Sequence, residues 1–524
     1  MQTRHFLALA ACLAMPAGAL AQTRPLAPPS PGQAAQEQAG SAEAAAGTEA
    51  GARSLQSALA AYLSPQAFDL GFLTVAPDPA GYRITFKLDT DFGTAGSSGS
   101  GTRGHMRIAP YSVLVSRQPD GNWFVRSMDG FSSSLSLDGP TGRTAISSTV
   151  GSASFSGIFS PAIGGFLSSS ATADKMVVTQ RTPQSETFAE FGPQSMEAKA
   201  VPAEDGSVDV TFSQTGSDLK QTILSADPAH PERRVPIRLA AKDLSLDGKA
   251  AGLRSRPMLD LWAFLLAHQD REKIVASQDE LRARLRDLLP AWKSLDLGET
   301  FGGVSVSTPF GGMTADRFRV AVKADGITTA GAFRYIYGLE GMSFASPSIP
   351  AWADPLIPHD LTLGLGARNL DLDAAARIAI DDFDLAREKP LSDAAEKRIA
   401  AVFHDHVPRF TIEPSRLKAA DYEVKFSGEL SLQGSRPATK LDITATGVDN
   451  VIALLQKAGS SDPRAFQAVG FLSLAKGFAG PSADGSTHWL IETGADGSVK
   501  INGMQIKGPS EPDGGKASES GTPL

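Results

Sequence analysis

Residues 73–86 read LTVAPDPAGYRITF. The first arm is a short apolar strand that breaks at Pro77. A turn follows, and Tyr82, Ile84 and Phe86 then alternate with Arg83 and Thr85. A period of two places successive side chains on opposite faces, as in a strand with one wet face. The same order returns at 410–414 (FTIEP) leading to 421–426 (DYEVKF), and at 304–309 (VSVSTP) leading to 316–321 (DRFRVA). Each copy follows a helical stretch, at 55–63, 394–404 and 281–292 respectively. The pattern predicts a module of helix plus hairpin or meander that recurs about three times.

Alternation extends well beyond these copies. It is present at 83–88, 207–212, 318–322, 422–426 and 498–501. Asp-Gly pairs at 120–121, 138–139, 205–206, 247–248, 325–326 and 496–497 suit the positive φ of tight hairpin turns. Helices come in blocks between the strands. Residues 257–268 (PMLDLWAFLLAH) are apolar on nearly every side. Ser277 and Glu280 have the spacing of a capping box, and Leu281, Leu285, Leu288, Leu289 and Trp292 share one face behind them. Further starts are expected at Ser392, Asp449 and Asp462, with Pro463 at the first helical position and Gly480 as a stop. The expected fold class is α+β, with repeated antiparallel β-meanders covered by helices. An N-terminal β-rich region would span 53–250, and a helix-plus-meander region 251–507.

The start, MQTRHFLALAACLAMPAGALAQ, reads as a secretory signal peptide over 1–21. Its apolar core is too short to span a bilayer, and Ala19-Leu20-Ala21 is a small-x-small cleavage site. Cleavage after Ala21 and a periplasmic location are therefore expected. Leu9-Ala10-Ala11-Cys12 has the form of a lipoprotein box, but the six apolar residues before Cys12 fall short of the usual 7–15. Residues 22–52 and 508–524 lack large apolar groups and read as disordered linker and tail. Cys12 is the one cysteine, so the mature chain has neither disulfide nor thiol chemistry. The formal charge of −8 would become −9 on loss of Arg4, which argues against nucleic acid. No later run of 18 apolar residues predicts a transmembrane span.

The exported start, the helix before LTVAPDPAGYRITF, and the phrases AKDLSLDG (241–248) and LGARNLDLD (365–373) form a pattern. So does the close, DNVIALLQKAG (449–459) followed by GSTHWLIETGADGSVKINGMQI (485–506). Together they resemble the bacterial, mainly alphaproteobacterial, domain-of-unknown-function family 2125, over most of 53–507. The resemblance implies an exported bacterial protein and no particular chemistry. A looser likeness is to AsmA-type periplasmic β-proteins, which handle lipid, by analogy of fold.

Candidate chemistry is sparse. His404 and His406 could supply metal ligands, but on a helix end i and i+2 side chains point apart, and the other histidines form no ligand-spaced group. Ser217 and Lys220 have S-x-x-K spacing without the partner motifs that such enzymes need. The run 93–104 (GTAGSSGSGTRG) lacks the Gly-Lys-Ser/Thr of a phosphate loop. Asp371, Asp373, Asp381, Asp382 and Asp384 lack calcium-loop spacing and read as a solvated edge. In the block from 257, Trp262, Phe264 and Leu265 cannot all face one narrow stripe. They are either core against a sheet or the lining of an apolar groove. No catalytic, cofactor or metal residue is assigned, and an enzyme is disfavoured without being ruled out. The expected role is binding or scaffolding in the cell envelope, with a lipid-like ligand or an envelope protein as partner. The alternative is a periplasmic hydrolase with a site dispersed in sequence.

Overall fold

The structure, a computed structural model, describes residues 45–93, 103–139, 142–227, 230, 233–268, 270–431, 437–481 and 485–509. The expected signal peptide, and most of the linker, of the glycine run 93–104 and of the tail, lie outside the described residues.

Helices α1 (Glu49–Leu63) and α2 (Pro65–Asp69) lead into β1 (Leu73–Asp78), β2 (Gly81–Gly93) and β3 (Arg103–Arg117). Eight short strands follow: β4 (Trp123–Ser127), β5 (Phe131–Gly139), β6 (Gly142–Val150), β7 (Ala153–Ser160), β8 (Gly165–Ala173), β9 (Met176–Arg181), β10 (Ser185–Phe191) and β11 (Gln194–Pro202). Then come the long strands β12 (Val208–Ala226) and β13 (Arg234–Leu253), and helices α3 (Ser255–Ala267), α4 (Arg271–Ala276) and α5 (Gln278–Leu288). The chain continues through β14 (Ser294–Thr308), β15 (Gly311–Asp325), β16 (Gly331–Glu340), β17 (Ser343–Ala345), a 3-10 turn (Ala351–Leu356) and β18 (Asp360–Leu370). Helices α6 (Leu372–Asp382) and α7 (Asp393–Asp405) precede β19 (Arg409–Lys418), β20 (Glu423–Ser431) and β21 (Ala438–Thr446). Helices α8 (Val448–Gly459) and α9 (Pro463–Gly477) precede β22 (Gly480–Pro481), β23 (Thr487–Thr493), β24 (Val499–Ile501) and β25 (Met504–Lys507). Strand makes up 53 % and helix 24 %, so the fold is β-rich α+β.

All these strands join one antiparallel sheet, laid down almost in chain order. The short strands are halves of long ones. β4 pairs with the end of β3 and β5 with its beginning, so β4 and β5 run on in one direction. β6 with β7, β8 with β9, and β10 with β11 continue the pattern, until β12 pairs with β11 along its first half and with β10 along its second. The breaks line up across the sheet as a crease. In β12 it falls at Asp218 (φ 54°) and in β14 at Gly303 (φ 57°).

At the crease the facing of side chains slips by one residue. In β12 the apolar side carries Val210 and Phe212 before it, but Leu219 and Ile223 after it. In β14 it carries Leu295, Leu297 and Phe301, then Val304 and Val306. A one-residue slip would normally turn a strand inside out. Here every strand slips together, so the apolar set stays on one side. The packing confirms it: Leu219, Ala241, Leu244, Val304 and Ala315, drawn from both sides of the crease, form one buried cluster. Val150, Ala173 and Met176 form another.

Helices pack on parts of this sheet. Leu59 and Leu63 of α1, with Ala67 and Phe68 of α2, cover Leu73, Val75 and Phe86. Helices α8 and α9 pack on each other and on Trp352 and Leu356.

Several local expectations are corrected. Helix α1 begins at Glu49, capped by Thr48, six residues ahead of the helical stretch expected at 55–63. Ser277 precedes α5 but makes no side-chain cap, so the capping box does not form. Asp247-Gly248 is no turn: it lies inside β13, where a Cβ on Gly248 would stand 2.1 Å from the Phe212 ring. Glycine is needed there for close approach. Residues 372–382, where no helix start was expected, are helix α6, and Asp371 caps it by accepting from Ala374 N. Three hairpins do follow helices, β1–β2, β14–β15 and β19–β20. Their prolines are not equivalent, however: Pro77 lies in a strand, Pro309 in a turn, and Pro414 at a bulge.

Candidate functional site

The register assigns each face of the sheet a character. One cross-strand row runs from Pro77 on β1 through Tyr82, Val115, Val125, Ala198 and Phe212. It continues through Leu297, Val322, Tyr335, Leu365, Ile412, Leu441 and Ile491 to Met504 on β25. No position in it is charged. A row on the opposite face carries Ser154, Thr172, Ser195, Thr215, Ser245, Thr300 and Arg319. It passes Gly338 and continues with Thr362, Arg416, Lys425, Thr444 and His488. Hydroxyls pair along it, Ser154 with Thr172 at 2.7 Å and Ser195 with Thr215 at 3.0 Å. Salt bridges cross it, Arg317 to Glu340 at 2.9 Å and Lys323 to Asp296 at 2.7 Å.

The apolar face is only partly covered. Phe333, Leu365 and Phe410, on three neighbouring strands, are 42 %, 44 % and 43 % exposed. Large aromatic and aliphatic groups left accessible side by side mark a surface for an apolar partner. At the other end of the sheet, α1 and α3 stand over this face and leave a cavity of about 220 Å³. Leu63, Phe86, Leu88, Ile108, Trp262 and Leu266 are among its lining residues, with Lys87 beside them.

The three residues singled out on α3 part company. Trp262 lines the cavity and donates its indole N–H to the Tyr62 carbonyl at 3.0 Å. Phe264 is buried, stacked on His268 with centroids 4.1 Å apart, and the Arg284 guanidinium lies 5.1 Å from its ring. Leu265 faces outward, 37 % exposed. Helical geometry sorts them: Trp262 and Leu266 are four apart on one side, as are Phe264 and His268 on another.

A larger concavity, about 680 Å³, lies over the polar face. Its charged lining is balanced, Lys199, Lys249, Arg317 and Arg319 against Glu197, Asp247, Asp296 and Glu340. Its charges balance, so it offers a charged ligand no net field, and Arg317 and Glu340 already pair within it. The apolar face is the better candidate on chemical grounds.

Polar groups interrupt the apolar face at a few places, and sequence reasoning passed over them. Gln194 and Gln214 are 2 % and 3 % exposed, and both amide atoms of Gln194 and Oε1 of Gln214 lack a hydrogen-bond partner. Glu299 shares a row with Gln214, Leu246, Val320 and Tyr337. It has no ion pair or hydrogen bond among the described residues, and burial pushes its carboxyl above the ordinary range. Tyr337 stands beyond Val320 in that row, its ring centroid 4.4 Å from that of Tyr335, and the Tyr337 hydroxyl, burial and, least, the Glu299 charge raise the Tyr335 phenol. Glu413, on the polar face, is the contrast. Burial pushes it up, yet Thr411 and Arg368, at 2.8 and 2.7 Å, hold it below the ordinary range. The signal for Glu299 was present: in SLDLGETF (294–301) it occupies the apolar register of Leu295, Leu297 and Phe301.

The remaining candidates are surface structure. His404 is 89 % exposed beside Asp405, and His406 caps α7. Ser217 and Asp218 sit at the crease within β12, where the Ser217 hydroxyl donates to Asp218. The aspartates are caps and ion pairs: Asp373 with Arg377, Asp381 with Arg286, Asp382 with Ser392, and Asp384 with Arg387. Among the described residues no three metal-type side chains converge, and no helix is long and apolar enough to cross a membrane.

Comparison with known proteins adds one match. No curated protein and no solved structure matches, so the likeness to AsmA-type proteins is not shown. Residues 263–489, from the middle of α3 to β23, match a family model described as "Uncharacterized protein conserved in bacteria (DUF2125)". That is shorter than the resemblance over 53–507, and it leaves out the N-terminal half of the sheet. Over residues 263–489, then, this chain is similar to that family of uncharacterized bacterial proteins.

Proposed function

We propose that this protein binds a lipid-like amphiphile along the apolar face of its sheet, as an exported, non-catalytic component of the cell envelope. The observation that carries the reading is the uncharged row from Pro77 to Met504, together with the accessible Phe333, Leu365 and Phe410 on that face. A soluble protein covers such a face or uses it, because each exposed apolar Å² forgoes about 25 cal/mol. The cavity bordered by Trp262 lies at the other end of the same face, beneath α1 and α3, and its lining is apolar enough for an acyl chain. The export expected from residues 1–21 would bring this surface to the envelope, and cell fractionation checks that part.

The test uses a neutral probe that fluoresces in apolar surroundings, N-phenyl-1-naphthylamine, displaced by a long-chain alcohol. The wild type should bind the probe. The double variant Leu365→Ser with Phe410→Ser should bind it several-fold more weakly, while its thermal melt stays close to wild type. Absence of probe binding, or binding unchanged in the variant, would defeat the reading. So would a concentration-dependent dimer that excludes the probe, since the face would then belong to a second copy.

A further inference from the structure

The apolar face carries a single acid among the large side chains of β12 to β16. At its positions on these five strands, all described, Glu299 is the only Asp, Glu, Lys or Arg. A carboxylate that is half-buried without a partner is costly, and proteins normally pair it or keep it neutral. On the side of β15 and β16 the same row offers a group that accepts a cation. Tyr337 stands one strand beyond Val320, 37 % exposed, with the Tyr335 ring 4.4 Å from its own. A carboxylate and a tyrosine face on either side of one valine are surroundings in which an ammonium group is held by a charge-assisted hydrogen bond and cation–π attraction.

We infer that the Glu299 position reads the head of the bound amphiphile and selects one that carries an ammonium group. This rests on the apolar-face reading and adds a specificity residue to it. The chain of the ligand lies on the neighbouring Leu297, Val320 and Val322, and its ammonium donates to the Glu299 carboxylate. A carboxylate head would meet Glu299 with like charge and is disfavoured. A neutral alcohol loses the charge-assisted contact but nothing else.

Displacement of N-phenyl-1-naphthylamine by dodecylamine, dodecanol and dodecanoate, below their micelle concentrations at pH 7, tests the idea. Dodecylamine should displace the probe at about tenfold lower concentration than dodecanol, the effect of about 1.4 kcal/mol from one desolvated cation contact. Glu299→Gln should erase that advantage and leave dodecanol unchanged. Tyr337→Leu should reduce the advantage while retaining dodecanol binding, which separates head recognition from a folding defect. Equal displacement by amine and alcohol, a preference for dodecanoate, or an amine advantage that survives Glu299→Gln would overturn the inference while leaving the apolar-face reading intact. If none of the three displaces the probe, both fall.

Discussion

The creased part of the sheet, from β3 to β15, and the part from β18 to β25 solve the same problem differently. Both lay an apolar ladder across antiparallel strands. In the creased part, strands such as β12 and β13 reach 19 and 20 residues, and both sides of the crease contribute to buried clusters. In the later part, β18 to β21 have 9 to 11 residues, lack the second half, and leave Leu365 and Phe410 accessible. The difference teaches that the crease buries the residues beside it, Leu219, Ala241, Leu244, Val304 and Ala315, and leaves the face away from it partly accessible. A long strand that stays straight exposes its apolar side, whereas one that slips by a residue at a shared line lets side chains from both halves meet.

The largest way to break this comparison is to delete Gly303. The deletion removes the slip in β14 and turns Val304 and Val306 toward the polar face. Losing two valine burials at about 1.5–3 kcal/mol each should cost roughly 3–6 kcal/mol in urea unfolding. Gly303→Asn, which tolerates positive φ, should cost far less. Equal losses for both would mean the slip does not hold the core.

A second comparison is sharpened within α3. Phe264→Ala should cost about 3–5 kcal/mol, as for a buried aromatic. Leu265→Ala, on the exposed side, should stay within about 0.5 kcal/mol. Thermal melts of the pair measure how firmly α3 is docked. If Leu265 proves the costlier of the two, the packing described for this helix is wrong.

The smallest effect concerns Glu299. Burial raises its folded pKa above the ordinary 4.5. Between those two values the native state holds a proton that the unfolded chain has lost, so stability falls as pH rises through that window. Above the raised value the penalty is complete. Glu299→Gln should therefore stabilise the protein modestly at pH 7, and the gain should vanish on acidification below the unfolded value. A gain that is the same at pH 7 and pH 4 would contradict a desolvated carboxylate.

Much of this was legible before any coordinates. Alternation in 83–88 and 207–212 identified strands, because a half-buried sheet imposes a period of two. Ser392 and Asp462 announced helices that they do cap, accepting from Ala395 N and Arg464 N. Ser277 announced a cap that does not form, because its φ of −109° and ψ of 18° place it outside the extended geometry the box requires. The Asp-Gly at 247–248 was read as a turn, since local chemistry cannot tell a hairpin glycine from one kept small for the Phe212 ring.

What the sequence determined by itself is therefore local: which residues alternate, where helices begin, and that Glu299 stands in an apolar register. Those follow from side-chain period and backbone chemistry within a few residues. The tertiary structure alone decided that the facing of residues slips in concert across strands far apart in the chain. It decided too that Trp262 meets a cavity while Phe264 meets core, and that Glu299 shares a row with Tyr337 and meets no cation among the described residues. The slip and the Glu299 row depend on cross-strand register, set by hydrogen bonds between segments that no local pattern connects, and the fates of Trp262 and Phe264 on how α3 docks.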